Sequence, residues 1–457
     1  MGSPLRVVLS HLILFGAVIQ QTSMAWAGFE WGVAVSSHQV EGGNSTNDWH
    51  RWESECRVVN CERSGRATDH WNLYETDFDL ARSIDAGVFR TSLEWSRIEP
   101  AEGQFSTEAL AHYRRMLQAA KDRGLKVMLT LHHFTLPLWV ADYGQGGWKD
   151  PRIPDLFAAY SRRVVAELGD LVDYWITVNE PNVNMLLGFV AAMMPPGLRD
   201  HALAPRVMAN FLKAHAKAYH IIHERFPGAK VSFSHHVRIF DPANSWNPMD
   251  RLVAGALDDF WNHQPLRSIQ EGVIRFSIPF VASHEERCDE LRGTLDYLGI
   301  NYYTRDKLRF SFTAPQKFEI VPPMDRSRMT DVDWEIYPEG LERLLVALQP
   351  YGWPLMITEN GLADATDAKR ARFLCEHVLA MKRAMDRGVP VIGYIHWSLT
   401  DNFEWSLGFA PRFGLVAVDY GTMARTPRPS ARIFQAFARG EDPEAVCRRV
   451  LANREAV

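Results

Sequence analysis

Tyr174-Trp175-Ile176-Thr177-Val178-Asn179-Glu180 is a run of aromatic and β-branched residues that ends on a carboxylate. Such composition favours an extended strand. Far downstream, Leu355-Met356-Ile357-Thr358-Glu359 ends the same way. Six further apolar, β-rich runs, at residues 31–36, 88–95, 126–133, 230–235, 298–303 and 391–397, alternate with helical stretches. That alternation signals βα units and a parallel sheet. Segments 107–123 and 368–387 carry apolar residues at helical spacing, with Gly124 and Gly388 placed as stops. Eight strands, each followed by a helix or an excursion, predict an α/β fold, a single (β/α)8 TIM barrel. No low-complexity linker or short repeat divides the chain. One domain is therefore expected over residues 28–457.

This fold places chemistry at the C-terminal ends of its strands. Glu180 and Glu359 both fall there, with Arg90, His133, Tyr303, Trp397 and the stretch 401–405. Two carboxyl groups at strand ends suit cleavage of a glycosidic bond. One protonates the leaving oxygen while the other meets the oxocarbenium-like carbon from the opposite face. The division of labour needs environments that push the two pKa values apart. Arg90 is placed to hold Glu359 as an anion, and Tyr303 to donate a hydrogen bond to it.

The 457 residues are 46% hydrophobic and 23% charged, ample for a large core. A net charge of -5 disfavours nucleic acid and anionic membranes, both of which favour basic patches. Neutral small molecules fit better, and some of the 15 Trp, 13 Tyr and 24 Phe can stack on sugar rings, although most belong to the core.

Residues 7–19 are largely apolar and follow Arg6, and Ala25-Trp26-Ala27 has a small-x-small pattern, so residues 1–27 read as an export signal. The alternative is a start at Met24 and a cytoplasmic protein. The apolar stretch is too short for a membrane span. The five cysteines show no metal-ligand spacing, and no metal is expected. Cys56 and Cys61 bracket a segment able to turn back on itself, and pairing there implies an oxidising compartment. Asn44-Ser45-Thr46 matches a glycosylation triplet, relevant only in a eukaryotic secretory host. The sequence does not indicate the oligomeric state.

With Thr177-Val178-Asn179-Glu180-Pro181 and Ile357-Thr358-Glu359-Asn360-Gly361 in place, the chain resembles glycoside hydrolase family 1, the β-glucosidase family, from Phe29 to about Phe437. The resemblance implies that Glu180 is the general acid/base and Glu359 the nucleophile. It also implies that Asn179 binds the sugar 2-hydroxyl, a contact that strengthens in the transition state. Gln39, His133 and Glu404 would grip other hydroxyls. Trp397 would form an apolar floor, with Trp405 and Phe413 at its edge and Phe134 and Asn301 also lining the sugar site. No organic cofactor is implied. The expected substrates are short β-linked glucosides, galactosides or fucosides, cleaved from the non-reducing end by double displacement.

Glu404 would repel a 6-phosphorylated sugar. Glu180 argues against the family's thioglucosidase branch, which has glutamine there. His133-Phe134-Thr135 stands where many members have H-W-D, which removes one donor near the glycone. Arg90-Thr91-Ser92-Leu93-Glu94-Trp95 replaces a more usual R-F-S-I-S-W, and the extra Glu94 is expected to pair with a barrel lysine or arginine. Two rival readings use the same architecture: a transglycosidase with another acceptor, and a sugar-binding barrel without catalysis.

Overall fold

The computed structural model describes residues 28–452, except 144–145, 279–281 and 315. Residues 1–27, with the expected export segment and Met24, lie outside the described residues.

Eight parallel strands form the barrel: β1 (Glu30–Ala34), β2 (Val88–Ser92), β3 (Lys126–His132), β4 (Tyr174–Asn179), β5 (Val231–Pro242), β6 (Leu298–Phe310), β7 (Leu355–Asn360) and β8 (Val391–Trp397). They pair in the order β7-β8-β1-β2-β3-β4-β5-β6, and β6 pairs with β7 to close the ring. Closure leaves the barrel without an edge strand. Helices such as Thr107–Asp122 and Arg370–Asp386 return the chain between strands, and Gly124 (φ +73°) and Gly388 (φ +86°) follow them.

The period of two along each strand sorts the side chains. Ala34, Val88, Met128, Ile176, Met356 and Ile395, one from each of six strands, share the cluster inside the barrel. Their neighbours Val33, Phe89, Val127, Trp175, Ile357 and Tyr394 belong to the larger core shared with the helices.

Two strands run further than the sequence suggests. β5 and β6 stay paired beyond the barrel, as far as Pro242 opposite Leu308. β6 then turns back onto the short strand Phe318–Ile320. The extension is set by this mutual pairing rather than by local composition, which is why residues 230–235 and 298–303 alone look like ordinary barrel strands.

Candidate active site

Simple alternation brings four of the expected residues into the barrel mouth. Arg90 lies two residues after Val88, Trp397 two after Ile395, and Asn301 and Tyr303 continue from Tyr297. By the same rule Asn179 and Glu359 would point outward. They do not, because the ladders slip there: the register shifts between Ile176 and Asn179 on β4 and between Ile357 and Glu359 on β7. An irregularity of this kind re-aims the side chains that follow it. Glu180 adds a left-handed turn (φ 46°, ψ 59°) as the chain leaves β4 for the helix Pro181–Met185.

The result is one hydrogen-bonded chain joining the two glutamates. Asn301 Nδ2 donates to Glu180 Oε1 (2.8 Å) and to Asn179 Oδ1 (3.1 Å). Arg90 Nη2 donates to Asn179 Oδ1 (2.7 Å), and Arg90 Nη1 donates to Glu359 Oε1 (2.6 Å). Tyr303 Oη donates to the other oxygen, Glu359 Oε2, at 2.6 Å. Because Asn179 Oδ1 accepts twice, its amide Nδ2 faces the other way, toward His133 Nε2 (3.2 Å).

The electrostatic surroundings of the two carboxyls are opposite. Burial pushes Glu180 well above the ordinary carboxylate range, and the negative charge of Glu359 pushes it further, against the donation from Asn301 and the charge of Arg90. Both influences favour the protonated form of Glu180. Glu359 instead receives a guanidinium and a phenol, both donors to a carboxylate. Burial and the neighbouring Glu359 raise the Tyr303 hydroxyl far enough that it remains a donor. A buried ion pair such as Arg90–Glu359 is a poor device for stability. Its effect here is to hold the Glu359 carboxylate in one orientation within a buried site.

Toward the loop 401–405, Gln39 Nε2 donates to Asn402 Oδ1 (3.0 Å), the Phe403 carbonyl (2.9 Å) and Glu404 Oε2 (3.3 Å). His133 stacks between Trp397 and Trp405, its ring centroid 5.9 Å from each. Burial, with Arg90 nearby, holds His133 well below its ordinary pKa, so it is neutral. With Nε2 accepting from Asn179, the proton sits on Nδ1, which has no hydrogen-bond partner among the described residues. Burial, and then the charge of Glu359, raise Glu404 to about 8. Phe134 turns through φ 71° to set its ring edge-on to Trp405 at 5.2 Å, and Phe413 meets Tyr303 edge-on at 6.4 Å.

The loop carrying Glu404 and Trp405 is anchored by Asp401, which is fully buried. Arg428 grips both of its oxygens (2.8 and 2.9 Å), and the Gly414 amide donates at 3.0 Å. Asp401→Ala strands that guanidinium, at a cost of about 3–5 kcal/mol. In a chain of this size that should lower the melting temperature by about 3–5 °C. An unchanged thermal melt would show that the loop holds without the anchor.

Trp334, which no motif marks, closes the site beside Tyr303 (5.3 Å between ring centroids) and Phe413 (6.3 Å). His236, at the end of the barrel portion of β5, stacks on Tyr303 at 6.3 Å and accepts from Trp261 Nε1 at 3.2 Å. Only the doublet His235-His236 at a strand end hinted at it. Glu94 departs from expectation. It has no cation partner among the described residues; Ser96 and Thr135 hydroxyls donate to it at 2.8 and 3.1 Å. Two short hydroxyl donors satisfy a buried carboxyl without the desolvation of a second charge. Cys56 and Cys61 are joined by a disulfide.

A family model described as Glycosyl hydrolase family 1 matches residues 22–443. Beta-glucosidase A of Thermotoga maritima is 33% identical over 429 residues, covering 88% of this chain and 95% of that protein. A chloroplastic galactolipid galactosyltransferase of Arabidopsis thaliana is 31% identical, over 91% of this chain and 65% of its own length. Among solved structures, a beta-glycosidase from Pyrococcus horikoshii superposes with a TM-score of 0.85 at 37% identity, covering 92% of this chain and 96% of that one.

Proposed function

Because the chain belongs to glycosyl hydrolase family 1 and is an O-glycosyl hydrolase of the β-glucosidase type, we propose that it releases terminal β-D-glycosyl residues with retention, by double displacement. The observation that carries this reading is the hydrogen-bonded chain that links two differently set carboxyls: Asn301 donates to Glu180, whose pKa burial raises, while Arg90 and Tyr303 each donate to an oxygen of Glu359. Glu359 attacks the anomeric carbon while Glu180 gives its proton to the glycosidic oxygen, and the aglycone leaves as an alcohol. Glu359 is now a neutral ester, so the charge that held the Glu180 proton is gone. Glu180, now a carboxylate, takes a proton from water, whose oxygen attacks the same carbon and frees Glu359. Asn179, His133, Gln39 and Glu404 hold the sugar hydroxyls, with Asn301 positioning both Asn179 and Glu180, and with Trp397, Trp405, Phe134 and Phe413 around the ring.

Release of nitrophenol from p-nitrophenyl β-D-glucoside, galactoside and fucoside, with the 6-phosphoglucoside as contrast, tests the reaction class. Proton NMR of the first-formed sugar tests retention. Neutral sugars released as the β-anomer are expected, and an α-anomer would overturn double displacement. Silence across the panel in folded protein would favour a sugar-binding barrel.

The pH profile follows from the raised pKa of Glu180. The acid is present below that pKa, so kcat/KM on unactivated glycosides holds at lower pH and falls as pH rises through it. Glu180→Gln should remove this alkaline limb. A limb that persists in Glu180→Gln, near pH 8, would belong to Glu404.

The similarity to a galactosyltransferase supports a second reading, transfer to an acceptor other than water by the same residues. Added alcohols or sugars that divert product from free sugar to new glycosides would favour it.

A further inference from the structure

The extension of β5 and β6 beyond the barrel carries a surface that the active site does not use. The turn at residues 243–247 presents Trp246, 91% exposed; the helix Pro248–Asp258 presents Met249 and Leu252, the latter 61% exposed; and the turn after β6 presents Phe312, 83% exposed. These apolar tips are held rigidly around one buried residue. Asp250 accepts from the Asn244 amide (3.1 Å), Asn247 Nδ2 (3.0 Å) and the Phe310 amide (2.9 Å), which ties the turn, the helix and β6 together. Phe310 in turn meets Phe312 edge-on at 4.7 Å. Such tips cost solubility and are not demanded by packing.

Their charged surroundings identify what they fit. Segments 243–257 and 307–320 contain Arg251, Lys307, Arg309 and Lys317, and none has an ion-pair partner among the described residues. The acids of the same segments are Asp250, which is buried, and Glu319; at their edges lie Asp306, which pairs with Arg238 (2.7 Å), and Asp258, beside His263. The chain as a whole is acidic at -5, so this is a local basic collar around protruding tryptophan, phenylalanine and aliphatic groups. A net charge averages over such a collar and conceals it. Tryptophan and phenylalanine tips flanked by lysine and arginine match the water–lipid boundary, where the rings enter the headgroup region and the cations meet phosphate.

We propose that this surface docks on an anionic phospholipid bilayer. β6 runs seven residues from Tyr303 to Phe310, about 23 Å at strand spacing, outward from the C-terminal end of the barrel. Docking therefore turns the open end of the barrel, where both glutamates lie, toward the lipid.

The test is co-sedimentation of the full chain with phosphatidylcholine vesicles, with and without phosphatidylglycerol, comparing the wild type with Trp246→Ser/Phe312→Ser and with Arg251→Glu/Arg309→Glu. The apolar residues 7–19 are present in every variant, so the comparison isolates this surface. The wild type should sediment with phosphatidylglycerol vesicles and release as salt rises. The apolar double variant should partition about tenfold less, and the charge variant should lose the preference for phosphatidylglycerol. Hydrolysis of soluble p-nitrophenyl glucoside should be equal in all three, which shows that they are folded. Equal sedimentation of wild type and Trp246→Ser/Phe312→Ser, or no vesicle binding by the wild type, would overturn the proposal. So would a wild-type dimer that Trp246→Ser/Phe312→Ser converts to monomer without change in vesicle binding, since the surface would then join two copies of the chain.

Discussion

Glu359→Gly is expected to lower hydrolysis of every β-glycoside by at least about 10⁴-fold, because no other group can form the glycosyl ester. The deletion also leaves Arg90 with only neutral partners, the Thr358 carbonyl, Asn179 and the Thr130 hydroxyl. Removing one member of a buried pair costs about 3–5 kcal/mol, so a thermal melt must accompany the assay. Glu359→Gln, which keeps the side-chain volume and an oxygen for Tyr303, separates lost chemistry from lost fold. The space opened by glycine lies beside the Arg90 guanidinium and suits a small anion. Azide should restore turnover of an activated aryl glucoside and give the α-glycosyl azide, since it attacks once from the face that Glu359 occupied. A β-azide, or a folded Glu359→Gln enzyme within about tenfold of wild type, would remove Glu359 as nucleophile.

Glu180→Ala should show a loss that depends on the leaving group. An alkyl β-glucoside needs its oxygen protonated as the bond breaks, and a loss of about 10²–10⁴-fold is expected. A dinitrophenyl glucoside leaves without help, so its first step should be nearly spared. The second step then lacks its base, and dinitrophenol should appear in a burst followed by slow turnover. Azide needs no deprotonation and should speed that turnover, giving the β-azide because Glu359 still inverts the centre first. The opposite anomers from the two variants assign the two roles in one experiment. Equal losses on alkyl and dinitrophenyl substrates would count against Glu180 as the acid.

Much of the barrel is visible in local composition. β8 occupies the residues expected of it, and β2, β3, β4 and β7 end within three residues of expectation, because runs of β-branched and aromatic residues mark strands wherever they pack. β5 and β6 were longer because their outer halves are held by each other, a long-range pairing with no local signature. Trp334 has no local signature for a related reason: it reaches Tyr303 from a loop whose sequence carries no motif. Glu94 was expected beside a cation, and its hydroxyl partners come from the next helix and from the loop after β3. The basic collar around Trp246 was hidden by a net charge that sums distant surfaces.

By itself the sequence determined that eight strands would form and that two of them would end on glutamates, because strand propensity and residue type are local properties. Only the tertiary structure decided that those glutamates face one another's partners. Strict alternation from Met356 would carry Glu359 to the outside of the barrel, and alternation from Ile176 would do the same to Asn179. The register slips on β4 and β7 turn them inward. A slip is a relation between neighbouring strands, set where closure of the ring forces ladders to accommodate one another, and no single strand contains it. The different settings of the two carboxyls are likewise tertiary: burial raises the pKa of Glu180, while Arg90, arriving from β2, meets Glu359.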